Sequence, residues 1–152
     1  MTDEKLASFK EDFALLIEAG FVAVKQLDEL AATRIFQAAQ ELNKDHAAPK
    51  IGMGYIALNK LEIKQATKIF GEVVDKEPEN YLAQTFLGIC YLLTKPKRKK
   101  GEALIKEAMS KTGDETVKNL GSISLEWAEK DLYKAKSPFF AQADTEGEEK
   151  GT

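Results

Sequence analysis

Apolar residues recur along this chain at the three- and four-residue spacing of helices with one buried face. Leu6, Phe9, Phe13, Leu16, Ile17, Phe21 and Val24 mark a first long helix over residues 4 to about 26, with Asp3 placed to cap its start. Its partner is expected from Asp28 to about Asn43, with Leu30, Ile35, Phe36, Ala39 and Leu42 inward. A second pair is expected over 47–59 and 62–76, stopped at Glu77-Pro78-Glu79-Asn80. A third pair begins near Tyr81, and its first helix runs to Leu93 or Thr94. The run Lys95-Pro96-Lys97-Arg98-Lys99-Lys100 then fills a turn, and Leu104, Ile105, Ala108 and Met109 give the following helix its apolar face. After Thr112-Gly113-Asp114, a last helix over 114–136 carries Val117, Leu120, Ile123, Ser124, Trp127 and Ala128 on one side. The pattern predicts an all-α fold in a single domain, residues 1–136. Residues 137–152 are poor in aliphatics and hold Asp144, Glu146, Glu148 and Glu149, the composition of an acidic disordered tail.

The helices repeat. Gly20, Gly54 and Gly88 are each 34 residues apart, as are Leu27 and Leu61, Ala32 and Ala66, Ile35 and Ile69, and Phe36 and Phe70. A helix hairpin cannot bury its apolar face alone and stacks on the next. Glycine inside a helix costs about 1 kcal/mol relative to alanine, so three at one period point to close helix approach. Ala32 and Ala66 are expected to meet that contact from the second helix, and Phe36 and Phe70 to fill the space between repeats. The period breaks in the third pair: Ala103 arrives 37 residues after Ala66, and Glu107 stands where a Phe is due.

A period of 34 with Gly, Ala and Phe at fixed offsets resembles the tetratricopeptide (TPR) array. The resemblance covers residues 9 to about 111, as repeats at about 9–43, 47–78 and 81–111, with the segment 114–136 as a capping helix. The family's usual Trp is absent; Leu16, Lys50 and Gln84 hold those positions. What the resemblance implies is a right-handed superhelix whose concave groove, lined by the first helix of each pair, binds peptides of partner proteins. Carried over by register, the groove stripe is Ile17, Phe21 and Val24, then Ile51, Tyr55 and Leu58, then Thr85, Ile89 and Leu92, with Lys25, Asn59 and Leu93 at its rim. Co-chaperones of the family grip a terminal carboxylate with Lys and Asn on this stripe. Here Ile17, Phe21, Ile51 and Tyr55 stand there instead, and an apolar groove suits the face of an amphipathic helix or an extended apolar segment. The same residues also read as core packed against a terminal helix.

Composition narrows the function further. The net charge of −3 argues against bulk electrostatic binding of nucleic acid. Five positive charges in the six residues Lys95–Lys100 read as a solvated insertion, as a seat for an acidic partner, or as a phosphate contact in an RNA-associated protein. Cys90, the only cysteine, reads as a small buried residue. His46, the only histidine, reads as a surface turn residue with no companion for a metal site. Gly52 and Gly54 lie in a helical pattern rather than a phosphate loop, and no serine has a histidine partner. Phe139-Phe140 reads as ordinary tail or as a segment that folds back onto the array. No signal-peptide pattern and no apolar run of membrane-spanning length is found, which predicts a cytoplasmic protein without membrane contact.

Size, repeat number, apolar groove and acidic balance together resemble the small cytosolic TPR chaperones of bacterial type III secretion. That resemblance implies a non-enzymatic protein without cofactor or metal. Its partner would be a secreted needle or translocator subunit, held by an apolar helix before export, and a second small chaperone could join the complex. The alternative is a structural adaptor or homo-oligomer whose apolar groove closes a subunit interface.

Overall fold

A computed structural model describes residues 2–133. The acidic segment 137–152, with Phe139 and Phe140, and the last residues assigned to the capping helix lie outside the described residues. The order of elements is α1 (Asp3–Lys25), α2 (Glu29–Leu42), α3 (Ala48–Asn59), α4 (Ile63–Lys76), α5 (Tyr81–Leu92), a 3-10 turn (Lys95–Lys97), α6 (Arg98–Lys111), α7 (Glu115–Trp127) and a π-helical turn (Ala128–Tyr133). Among the described residues there is no strand, and the protein is all-α.

Side-chain caps set several starts. Asp28, Asn80 and Asp114 accept backbone N–H groups at the heads of α2, α5 and α7. At α1 the cap is Thr2, whose Oγ1 accepts from the Lys5 amide at 3.3 Å. Asp3, expected as the cap, is the first helical residue, where its charge suits the positive end of the helix dipole. With 23 residues against 12 in α3 and in α5, α1 overhangs the pair, and Leu6 on this overhang is exposed.

Each helix packs on the next, and α1, α3, α5 and α7 also pack in file. Glycines make the close contacts possible. A Cβ built on Gly20 would lie 2.5 Å from the Phe36 ring, and one on Gly52 would lie 2.4 Å from the same ring. Phe36 therefore fills a slot bounded by α1 on one side and α3 on the other. Gly54 receives Phe70 in the same way, at 2.7 Å. Both rings and both alanines of the repeat, Ala32 and Ala66, are fully buried.

The third pair keeps this packing with different residues. Ala103 is exposed, and Glu107 is exposed and pairs with Lys111 at 2.7 Å. Gly101 takes the place of the repeat alanine, and Ile105 takes the place of Phe36 and Phe70 against the glycine column. Both arrive 35 residues after their counterparts, so the register slips by one residue and not by three. The 3-10 turn between α5 and α6 absorbs the extra residue.

Two faces differ from the sequence pattern. In α2 the inward stripe is Ala32, Phe36 and Ala39, with Ile35 half-buried. Leu30 falls about half a turn away from that stripe and is 62% exposed, and Leu42 is exposed at the end of the helix. In α7 the buried residues are Val117, Gly121 and Ser124, followed by Ala128. Ile123 and Trp127 point outward, because Gly121 admits Met109 and Ile105 to the helix surface and thereby fixes its rotation.

Leu27 and Leu61 share an unusual backbone. Each has a left-handed φ, 62° and 58°. Leu27 donates to Val24 O and Asp28 to Ala23 O, both at 3.0 Å, and Leu61 and Glu62 repeat those bonds to Leu58 O and Ala57 O. This is the Schellman ending of a helix, in which the left-handed position favours glycine. Leucine there costs about 1–2 kcal/mol, and neither side chain recovers it by packing, since Leu27 is 85% and Leu61 73% exposed. Leu61→Gly is expected to raise stability by about 1 kcal/mol in urea unfolding, the relieved strain exceeding the added flexibility of the unfolded chain. Leu61→Val is expected to lower it.

Candidate partner-binding face

The file of first helices carries an aromatic ladder. The rings of Phe21 and Tyr55 lie 5.5 Å apart, and Tyr55 and Phe86 repeat that spacing. Buried rings hold the ladder from behind: Phe36 meets Phe21 edge-on at 5.2 Å, and Phe70 stacks on Phe86 at 5.0 Å. Such geometries add to area burial and fix the rotamers of the outer rings. Phe86 lies outside the stripe that register predicts. Its signal is its position 34 residues after Gly52. Phe36 needs glycine in that column, whereas Phe70 has a ring to stack on.

The nine stripe residues fall into two groups. Ile17, Phe21, Tyr55, Leu58 and Ile89 are half-buried. Val24, Ile51, Thr85 and Leu92 are buried and support the face from below. Val24 packs with Phe36 and Ile56, and Ile51 with Ala83 and Phe86. Thr85 donates its hydroxyl to Tyr81 O at 2.7 Å. Leu92 packs with Ile105 and Ala128, and Ile89, Leu125 and Leu132 gather around that group. The C-terminal segment thus covers Ile89 and Leu92 at the α5 end of the stripe. What stays open is an apolar strip of Ile17 and Phe21 from α1 and Tyr55 and Leu58 from α3.

Polar groups border this strip at the α3–α4 turn. Asn59 Nδ2 donates to Tyr55 O at 2.8 Å. Lys60 bridges Glu29 at 2.8 Å and Glu62 at 3.0 Å, and hydrogen bonds from its ammonium to these carboxylates raise its pKa. The three groups are exposed, so the bridge serves position more than stability. Lys25 is also exposed, and Leu93 is half-buried.

The single-copy residues have packing roles. His46 Nδ1 accepts from the Ala48 amide at 3.1 Å, at the head of α3, and its ring leans on Phe13 with centroids 4.8 Å apart. Cys90 is fully buried, and burial pushes its thiol from 9.0 up to about 11. The thiolate is the reactive form and the sulfur is shielded from solvent, so alkylation is expected to be slower in the folded protein than in urea by more than about 100-fold. A thiol-reagent time course at neutral pH checks this.

No protein-family model and no curated protein matches the chain. Among the described residues, no group of three or more His, Cys, Asp or Glu is placed to hold a metal ion. Nor is any described helix long and apolar enough to cross a membrane.

Proposed function

We propose that this protein is a non-enzymatic chaperone of the TPR type, and that the strip of Ile17, Phe21, Tyr55 and Leu58 holds the apolar face of a partner's amphipathic helix. In this reading the helix pairs are three TPR repeats in a right-handed superhelix, and α7 caps the last of them. The observation that carries it is the half-open apolar strip, in which buried Phe36 braces Phe21 and buried Phe86 braces Tyr55. A rigid aromatic surface loses little entropy on binding, which is how apolar anchors become strong contacts. The resemblance to type III secretion chaperones supplies the class of client: a secreted helical needle or translocator subunit, kept from premature assembly in the cytoplasm, with a second small chaperone as a possible member of the complex.

Co-purification from the protein's own cells tests this. Tyr55→Ala, which trims a half-buried ring and leaves Phe36 and Phe70 in place, is expected to weaken client binding by about 2 kcal/mol, near 30-fold. Leu58→Glu should abolish it, with circular dichroism unchanged. A client retained equally by both variants would remove the strip from consideration. Ile51, buried beneath the strip, is unsuitable for this test because its substitution is expected to destabilise the core as well.

A second reading, a structural adaptor or homo-oligomer, is favoured by a different surface. Leu27, Leu30 and Leu61 are all largely exposed near the turns that close the first two pairs. If they join copies of this chain, sedimentation should show an oligomer that Leu27→Lys with Leu61→Lys dissociates. A wild-type monomer would dismiss this reading.

A further inference from the structure

The basic run at the α5–α6 turn is a second surface, separate from the apolar strip. Lys95 and Lys97 lie in the 3-10 turn, and Lys99 and Lys100 in the first turn of α6. All four are exposed, and no carboxylate among the described residues pairs with any of them. Arg98 differs from these lysines. Its Nε donates to Leu92 O at 3.0 Å and closes the end of α5.

This arrangement is electrostatically one-sided. The first turn of α6 has no acidic residue, and Lys97 at its cap provides no side-chain hydrogen bond. The positive end of a helix dipole favours anions and disfavours the lysines placed there. Lys97 Nζ and Lys100 Nζ each lie 5.2 Å from the centroid of the Tyr91 ring. The ring draws both ammonium groups to one place. They are therefore no more than about 10 Å apart, within the screening length of physiological salt. A chain with net charge −3 thus concentrates at one turn four lysines that no described carboxylate pairs with, and the Tyr91 ring orders two of them.

We propose that this turn is a docking site for an acidic segment of a partner protein, a run of Asp and Glu side chains that Lys95, Lys97, Lys99 and Lys100 receive. Carboxylates there relieve the repulsion among the lysines and supply the anion that the head of α6 lacks. Protein is favoured over nucleic acid as the occupant because the Tyr91 ring is engaged by two ammonium groups and is not a free platform for stacking a base. The site does not depend on the chaperone reading, because it uses neither α1 nor α3.

The test titrates a short fluorescein-labelled Glu-rich peptide into the full chain and follows anisotropy. Binding is expected, and it should weaken steeply as salt rises from about 50 to about 200 mM. Lys97→Gln with Lys100→Gln should weaken it by at least about tenfold, whereas Lys97→Arg with Lys100→Arg should preserve it. Lys64→Gln with Lys68→Gln changes the net charge equally at exposed positions on α4 and should leave binding intact. Equal loss in both Gln pairs would reduce the effect to net charge and overturn the site. So would a single-stranded oligonucleotide of matched charge that binds more tightly than the peptide, which would make the turn a nucleic-acid contact.

Discussion

Phe36→Ala is expected to destabilise the protein by about 4 kcal/mol, the middle of the range for buried aromatics. The ring is fully buried and touches three helices at once. It lies against Gly20 of α1, projects from α2, and reaches Gly52 of α3. Its removal leaves a void that these helices can close only by shifting toward each other, and α1 also loses the ring that braces Phe21. Domains of this size are stable by only about 5–15 kcal/mol, so a large fraction of the total is at stake. Urea unfolding should show a lower midpoint. If the first pair uncouples from the rest, the transition should also broaden into two. The contact itself is tested by a cycle with Gly52→Ala. Alone, that substitution drives a methyl into the ring and should destabilise. In the Phe36→Ala background the methyl enters the void, and the two changes should couple by about 1 kcal/mol or more. Simple additivity would mean that Phe36 does not occupy the slot beside Gly52.

Much of this packing is legible in the sequence, because it rests on residues whose size is their function. Glycine, alanine and phenylalanine at a period of 34 describe a slot, its wall and its filling. The assignment of helices follows from the same periodicity. The parts that are not legible depend on what lies opposite. Ile123 and Trp127 look like the core face of α7 by hydrophobicity, yet Gly121 and Ser124 set the contact because Met109 and Ile105 need room there. Thr85, Ile89 and Leu92 continue the apolar stripe by register, and no pattern within α5 tells that Leu125 and Leu132 gather over Ile89 and Leu92. Leu27 and Leu61 appear as a periodic apolar pair, and only the backbone reveals that they are helix endings in a left-handed conformation.

Gly101→Ala is the substitution for which helix propensity and packing disagree most. Propensity alone predicts a gain of about 1 kcal/mol, since alanine replaces glycine inside α6. The structure predicts a loss of about 3 kcal/mol, the upper end of what an added methyl costs in a packed core. The Cβ would lie 2.6 Å from Gly88 O, 2.9 Å from Leu92 N and 3.0 Å from Tyr91 Cβ. Two of these are backbone atoms of α5, which cannot rotate aside as the ring of Phe36 or Phe70 can. Relief requires the whole of α6 to move out, and that separates Ile105 from Gly88 and Leu92. Ala103→Gly provides the contrast. Ala103 is exposed, so it should lose only the propensity of about 1 kcal/mol. A register slipped by three residues, with Ala103 in the repeat position, predicts the reverse order, with Gly101→Ala harmless. Urea midpoints of the two variants therefore decide which residue of α6 meets Gly88, and with it whether the third pair packs on the same plan as the first two.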